Sequence, residues 1–157
     1  MIVAERFWSQ VDITGECWLW TGHLTDGYGR IKVDGRFVAA HQWSYVNAGK
    51  VIPDGMMLDH ICHDRACVNP SHLRPVTHKQ NMENQVAAHR NSTTGVRGVF
   101  RRGGRYRAAV RNNGRLYWLG TYDTIEEASE VARLKRIELF THNDADKFPP
   151  QKRRATT

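Results

Sequence analysis

The chain has 157 residues, 40% of them hydrophobic and 25% charged. That is enough for one compact domain or two small ones and too little for a large α/β enzyme around an extended cofactor site. No apolar run approaches the ~20 residues that cross a bilayer, so no membrane role is expected, and no small-molecule substrate is expected either. The first ten residues lack the basic-then-apolar pattern of a secretory leader, and three cysteines cannot all pair with one another. A cytoplasmic protein with its cysteines free or on metal is the expectation. The net charge of +7 is unevenly placed: residues 1–94 carry nine Lys/Arg and nine Asp/Glu, residues 95–157 fourteen and seven. Such asymmetry predicts a neutral module joined to one that attracts a polyanion.

In chain order, residues 17–20, 28–33 and 37–40 read as short strands separated by turns at Asp26-Gly27 and Asp34-Gly35. A helix over 41–48 should end at Gly49, and Pro53-Asp54-Gly55 should turn the chain before the apolar 56–58. A segment dense in His, Cys, Asp and Asn follows. A second helix is predicted over 77–88 with Thr77 as its cap. Residues 89–94 are small, polar and aperiodic, which marks a linker between a module at 1–88 and another at 95–141. In the second module, strands are predicted at 96–101, 105–111 and 115–119, joined through Gly103-Gly104 and Asn113-Gly114. A helix follows, with Thr124 and Glu127 as a capping box and an apolar stripe from Ile125 to Leu139. Residues 142–157 read as a flexible basic tail. The expected class is α+β.

Cys62 and Cys67 have four residues between them, and four more separate Cys67 from His72, a spacing that suits one tetrahedral zinc. Cys17 is the remaining cysteine and the natural fourth ligand, tying the first strand to the central loop; His63 is the rival. A structural zinc adds folding free energy directly to a small module. Asp59-His60 stands just before this loop and Asn81 nine residues after His72. Phosphodiester hydrolysis needs a base to activate water and a cation to offset phosphate charge. His60 suits the first role, and Asp59 and Asn81 offer hard oxygens for Mg²⁺ or Mn²⁺.

In a strand, alternate residues share a face. That places Arg97 with Arg101, and Arg105 with Arg107 and Arg111, against a core side of Phe100, Tyr106, Ala108 and Val110. Seven arginines and no acid lie between Arg97 and Arg115, and the guanidinium fork suits phosphate or guanine.

Two resemblances sharpen these expectations. Gly95-Val96-Arg97-Gly98-Val99, Tyr106-Arg107-Ala108, Leu119-Gly120-Thr121-Tyr122 and Glu126-Glu127-Ala128 resemble the Apetala/ethylene-response-factor DNA-binding domain, over about residues 94–140. The resemblance implies a three-stranded sheet on one helix that reads double-stranded DNA from the sheet face. It places Arg97, Arg101, Arg105, Arg107, Arg111 and Trp118 as contacts, although alternation would equally let Trp118 lie against the helix. Asp59-His60, Cys62, Cys67, Asn69, His72 and Asn81 resemble the HNH, or ββα-metal, endonucleases, especially phage and intron homing enzymes, over about residues 15–85. Zinc-stapled members have the base two residues before the first loop cysteine, the same four-residue gaps, and an asparagine metal ligand nine after the zinc histidine. This resemblance implies a ββα-metal module, makes Asn69 the residue that holds the hairpin and orients the base, and makes His78 a reserve ligand. It also implies an arginine on the phosphate, for which Arg30, Arg36 and Arg74 are candidates that sequence does not rank. His41 and His23 are expected to pack or face solvent.

The reading that follows is a phage-type homing endonuclease acting by a one-metal mechanism, with the oligomeric state open. The alternative is a non-catalytic DNA-binding regulator with a zinc-held docking module. An RNA-binding role is disfavoured because the basic sheet lacks paired aromatics to stack single-stranded bases.

Overall fold

The computed structural model describes residues 2–147. Residues 148–157, most of the expected basic tail, lie outside the described part. The contacts divide the chain into two units, Met1–His78 and Lys79–Thr157. Both combine helices with small antiparallel sheets.

The first unit opens with α1 (Val3–Trp8), which buries Phe7. Two-residue strands β1 (Val11–Asp12) and β2 (Leu19–Trp20) pair next, followed by β3 (Leu24–Thr25), β4 (Tyr28–Val33) and β5 (Arg36–Ala39) in a three-stranded antiparallel sheet ordered β3-β4-β5. The turns are the expected ones, with Asp26-Gly27 and Asp34-Gly35 all at positive φ. Strand β5 runs straight into α2 (Ala40–Asn47), which no side chain caps at its N-terminus. Phe7, Trp20, Ile31, Ala40 and Val68 form the core here. Gly29 lets β4 approach it, because a Cβ there would meet the Trp20 ring at 2.6 Å. Strands β6 (Met57–His60) and β7 (Leu73–Val76) form a separate antiparallel pair over Tyr45, Leu58 and Leu73. Between them the chain makes the loop that carries the cysteines and one 3-10 turn at Pro70–His72.

In the second unit, β8 (Val99–Arg102), β9 (Arg105–Asn112) and β10 (Arg115–Tyr122) form an antiparallel sheet ordered β10-β9-β8. Helix α4 (Ile125–Leu139) packs on one side over Val99, Ala108, Val110, Ala128 and Ala132. Its capping box forms as the sequence predicts, the Thr124 side chain accepting from the Glu127 backbone and the Glu127 side chain from that of Thr124.

Three elements differ from expectation. Strand β8 starts at Val99 rather than 96, because Gly98 sits at φ 78° with a backbone approach that a Cβ, 2.8 Å from the Ala109 carbonyl, would obstruct. The second predicted helix is shorter, α3 (His78–Glu83), ending before Asn84, a weak helix former whose side chain bonds the Asp144 and Ala145 backbones. Residues 142–147 are not loose. They include a helical turn, α5 (Asp144–Lys147), fastened by a buried ion pair in which two of the three Arg136 guanidinium nitrogens reach Asp146 at 2.6 and 2.7 Å. Residues 83–84 join this unit before the expected linker at 89–94. The Glu83 carboxylate accepts from the Thr141 and His142 backbones, and the Asn84 side chain from Asp144 and Ala145.

Candidate metal centre, active site and nucleic-acid face

The loop between β6 and β7 is bound to strand β2 by backbone bonds from Trp20 to Ala66 and from Val68 to Trp18. Asn69 completes this attachment. Its amide donates to the Glu16 carbonyl at 3.0 Å, and its oxygen accepts from the Ser71 backbone and hydroxyl at 3.0 and 2.6 Å, which starts the 3-10 turn. Together these contacts bring Cys17 to Cys62, Cys67 and His72, with all four ligand atoms within 4.8 Å of one another. The Cys17 and Cys67 sulfurs lie 3.5 and 3.6 Å from His72 Nδ1. A tetrahedral zinc with ordinary Zn–S and Zn–N bonds would set that separation at ~3.6 Å, so the cluster fits the ion.

Its protonation fits too. The Cys62 thiol is drawn down to about 5, chiefly because Cys67 donates to it. Cys17 is pushed up to about 11 by burial and by Cys62 beside it, and Cys67 is pushed up by its bond to Cys62 and by burial. Left alone, the cluster favours one thiolate; a cation allows three. His63, the rival ligand, lies outside the cluster in a left-handed turn at φ 57°.

His60 ends β6 and is buried. Its Nε2 is 3.0 Å from the Cys67 carbonyl, which can only accept, so Nε2 carries the proton and Nδ1 is the basic nitrogen. The bond that orients His60 therefore comes from the cysteine loop, with Asn69 acting one step removed. Burial lowers the His60 pKa, while the Cys67 bond opposes that shift. Asp59 lies opposite Arg74 in the β6–β7 register, and Arg74 donates to its carboxylate at 3.1 and 3.3 Å. Asn81 lies on α3, in the second unit, as does His78's helix beyond its first residue.

His41, expected to pack or face solvent, packs. It sits in the first turn of α2, 6% exposed, with its Nδ1 buried and without a partner. Its ring is 4.9 Å from His60 and 5.5 Å from Tyr28, and Tyr28 is 5.9 Å from His60. Burial, His60 and Arg30 push its imidazole down to about 3. Of the three candidate arginines, Arg30 is electrostatically coupled to this ring cluster, Arg74 serves Asp59 and Arg36 is exposed on the β4–β5 hairpin. No single-sequence signal separated His41 from a core histidine.

The open side of the second unit's sheet, away from α4, also differs in detail from expectation. Residues directly opposite in an antiparallel pair share a face. Val99 pairs with Ala108 and Phe100 with Arg107, so the later start of β8 reverses its phase. Phe100 is therefore on the open face and 51% exposed, not in the core. Arg101 shares Tyr106's side instead, its guanidinium 6.0 Å from that ring, and Arg102 takes the open-face position. Arg97 precedes the strand and is used internally. Its guanidinium donates to the carbonyls of Met82, Glu83 and Gln85, and burial with Arg136 nearby holds its pKa down to about 10. Arg105, Arg107 and Arg111 lie on the open face as expected; Arg105 pairs with Asp123 at 2.6 Å. Trp118 is there as well, 60% exposed, with the Arg107 guanidinium 4.9 Å over its ring.

Residues 38–83 match the family model described as HNH endonuclease. That stretch contains His41, Asp59, His60, Cys62, Cys67, Asn69, His72 and Asn81, and leaves Cys17 outside. The chain is also similar to Protein 7.7 of Escherichia phage T7, 36% identical over 78 residues, which is 49% of this chain and 60% of the relative. The chain thus spans less than two thirds of the curated relative it matches. No solved structure matches. No helix among the described residues is long and apolar enough to cross a membrane.

Proposed function

We propose that this protein is a DNA endonuclease of phage-homing type that hydrolyses phosphodiester bonds with His60 as general base. The observation that carries the reading is the Nε2 bond to the Cys67 carbonyl, because it fixes the base to the same loop whose cysteines and His72 form the metal-compatible cluster. Cys17, Cys62, Cys67 and His72 would hold a structural zinc that keeps loop and strand together. His60 Nδ1 would accept a proton from water, and the resulting hydroxide would attack phosphorus in line. Asp59 and Asn81, as hard oxygen donors, would hold a Mg²⁺ or Mn²⁺ ion. When bound, such an ion offsets charge on the phosphate and the departing oxygen. Asn69 acts by holding the loop that orients His60. The open sheet face of the second unit, with Arg105, Arg107, Arg111 and Trp118, would anchor double-stranded DNA in the manner of an Apetala/ethylene-response-factor domain.

The test is supercoiled plasmid carrying phage DNA, incubated with Mg²⁺ and either wild-type protein or His60→Ala, with zinc content and circular dichroism matched. Nicked or linear product from wild type alone supports the reading. DNA binding by both proteins without cleavage by either, across a library of phage sequences, supports the regulator instead.

A further inference from the structure

The second unit contains a groove of about 670 Å³ along the open sheet face. One wall is the open sheet face, where Phe100, Trp118 and Leu116 lie on either side of Ala109; the other is the 79–89 segment, which presents Met82. The wall is built rather than incidental, since the three Arg97 bonds to the Met82, Glu83 and Gln85 carbonyls hold it in place. The volume lies within the range of pockets that enclose nucleotide-sized ligands. Its lining pairs two exposed aromatic rings with cations. Arg111 lines the groove, and Arg107, just outside that lining, lies over the Trp118 ring; among the described residues neither has a carboxylate partner, whereas Arg105 has Asp123.

The chemistry selects among nucleic-acid ligands. Base pairs in an intact duplex present hydrogen-bonding edges in the grooves, while their π faces are covered by their neighbours. A groove whose main offering is aromatic ring area, with cations beside it, matches the opposite case: an unpaired base exposing its face, with its phosphate nearby. The expectation that this sheet lacks paired aromatics fails because Phe100 falls on the same open face as Trp118, across β9 from it.

We propose that this groove seats an unpaired base of DNA, stacked against Trp118 and Phe100, with the adjoining phosphate on Arg107 and Arg111. The proposal deepens the endonuclease reading by adding a preference for duplex that is locally open.

The test uses the full chain carrying His60→Ala, without added Mg²⁺, and DNA probes containing 2-aminopurine. The probe is offered within a fully paired duplex, as one extrahelical base in the same duplex, and in the single strand. The expected result is binding about tenfold tighter to the extrahelical and single-stranded probes than to the paired one, with fluorescence quenched on binding. Phe100→Ala should remove about tenfold from the unpaired probes and little from the paired one, Trp118→Ala should weaken the unpaired probes more than the paired one, and Arg102→Ala weakens all three alike. Both rings are largely exposed, so these variants keep the fold, which circular dichroism checks. Equal binding to paired and unpaired probes overturns the proposal, as does an equal loss on all probes in the aromatic variants. Self-association abolished by Trp118→Ala, without preference among probes, also overturns it and assigns the groove to a second copy. Cleavage by the wild-type protein is scored separately: its absence with the binding pattern intact defeats only the endonuclease reading, and its presence without the pattern defeats only the groove.

Discussion

The His41 and His60 rings lie 4.9 Å apart at an angle of 59°, one from the first turn of α2 and the other from the end of β6. Both are buried, and burial lowers the pKa of each. A proton on His41 is therefore resisted by burial and by His60, whereas on His60 the effect of burial is opposed by the Cys67 carbonyl and by Cys62, Asp59 and Asp64.

This arrangement gives a pH prediction. His41 falls from its ordinary 6.5 to about 3 on folding, so between those values the unfolded chain binds the proton and the folded one does not. Stability from this group is complete above 6.5 and declines as pH falls, by about 1.4 kcal/mol per pH unit. Urea unfolding at pH 6.5 and pH 5 should show wild type losing about 2 kcal/mol more than His41→Phe. Equal losses would mean that the folded protein accommodates a charged His41.

The sulfur cluster predicts metal-dependent stability. Purified protein should carry one zinc per chain, and removing it with a zinc chelator, or substituting Cys67→Ser, should lower the thermal midpoint of the first unit by more than about 10 °C. Cys17→Ser should do the same despite its distance in sequence, because its sulfur is 3.5 Å from His72. An unchanged midpoint after complete metal removal would reduce the cluster to three thiols and a histidine.

The pair Arg136–Asp146 is nearly enclosed, with side chains 7% and 11% exposed. Asp146→Ala strands a buried guanidinium and should cost roughly 3–5 kcal/mol, whereas replacing both partners with apolar residues of similar volume should recover most of that loss. Denaturant unfolding of both single variants and the double variant measures the coupling.

Gly98 tests the backbone that sets the phase of β8. Gly98→Ala forces a side chain into φ 78° and within 2.8 Å of the Ala109 carbonyl, which should cost more than about 2 kcal/mol. Because Gly98 also borders the groove, the variant should lose the extrahelical-base preference even under conditions where circular dichroism shows it folded.

Much of this architecture was legible because local chemistry decides it. The Asp-Gly turns, the Thr124 and Glu127 capping box and the alternation of β9 each follow from a few adjacent residues. The four members of the sulfur cluster were legible through spacing and the elimination of other cysteines. What escaped depends on contacts between distant positions. The side of the sheet on which Phe100 falls is set by the pairing of Val99 with Ala108, nine residues on, and a shift of one residue would reverse every face. His41 acquires its setting from β4 and β6. Helix α5 exists because Arg136 reaches ten residues forward to Asp146, and a polar stretch holding that partner reads as tail until the pair is seen.

The bonds from Arg97, Thr141 and Asp144 to residues 82–85 also bear on how such a protein could be assembled in evolution. A recombination joint at residue 95 would strip the C-terminal sheet of the carbonyls and carboxylate to which its own Arg97 and Thr141 donate. The piece that can move intact between genes begins near Lys79. Any protein acquiring this sheet and its groove would receive Asn81 as part of the same inheritance.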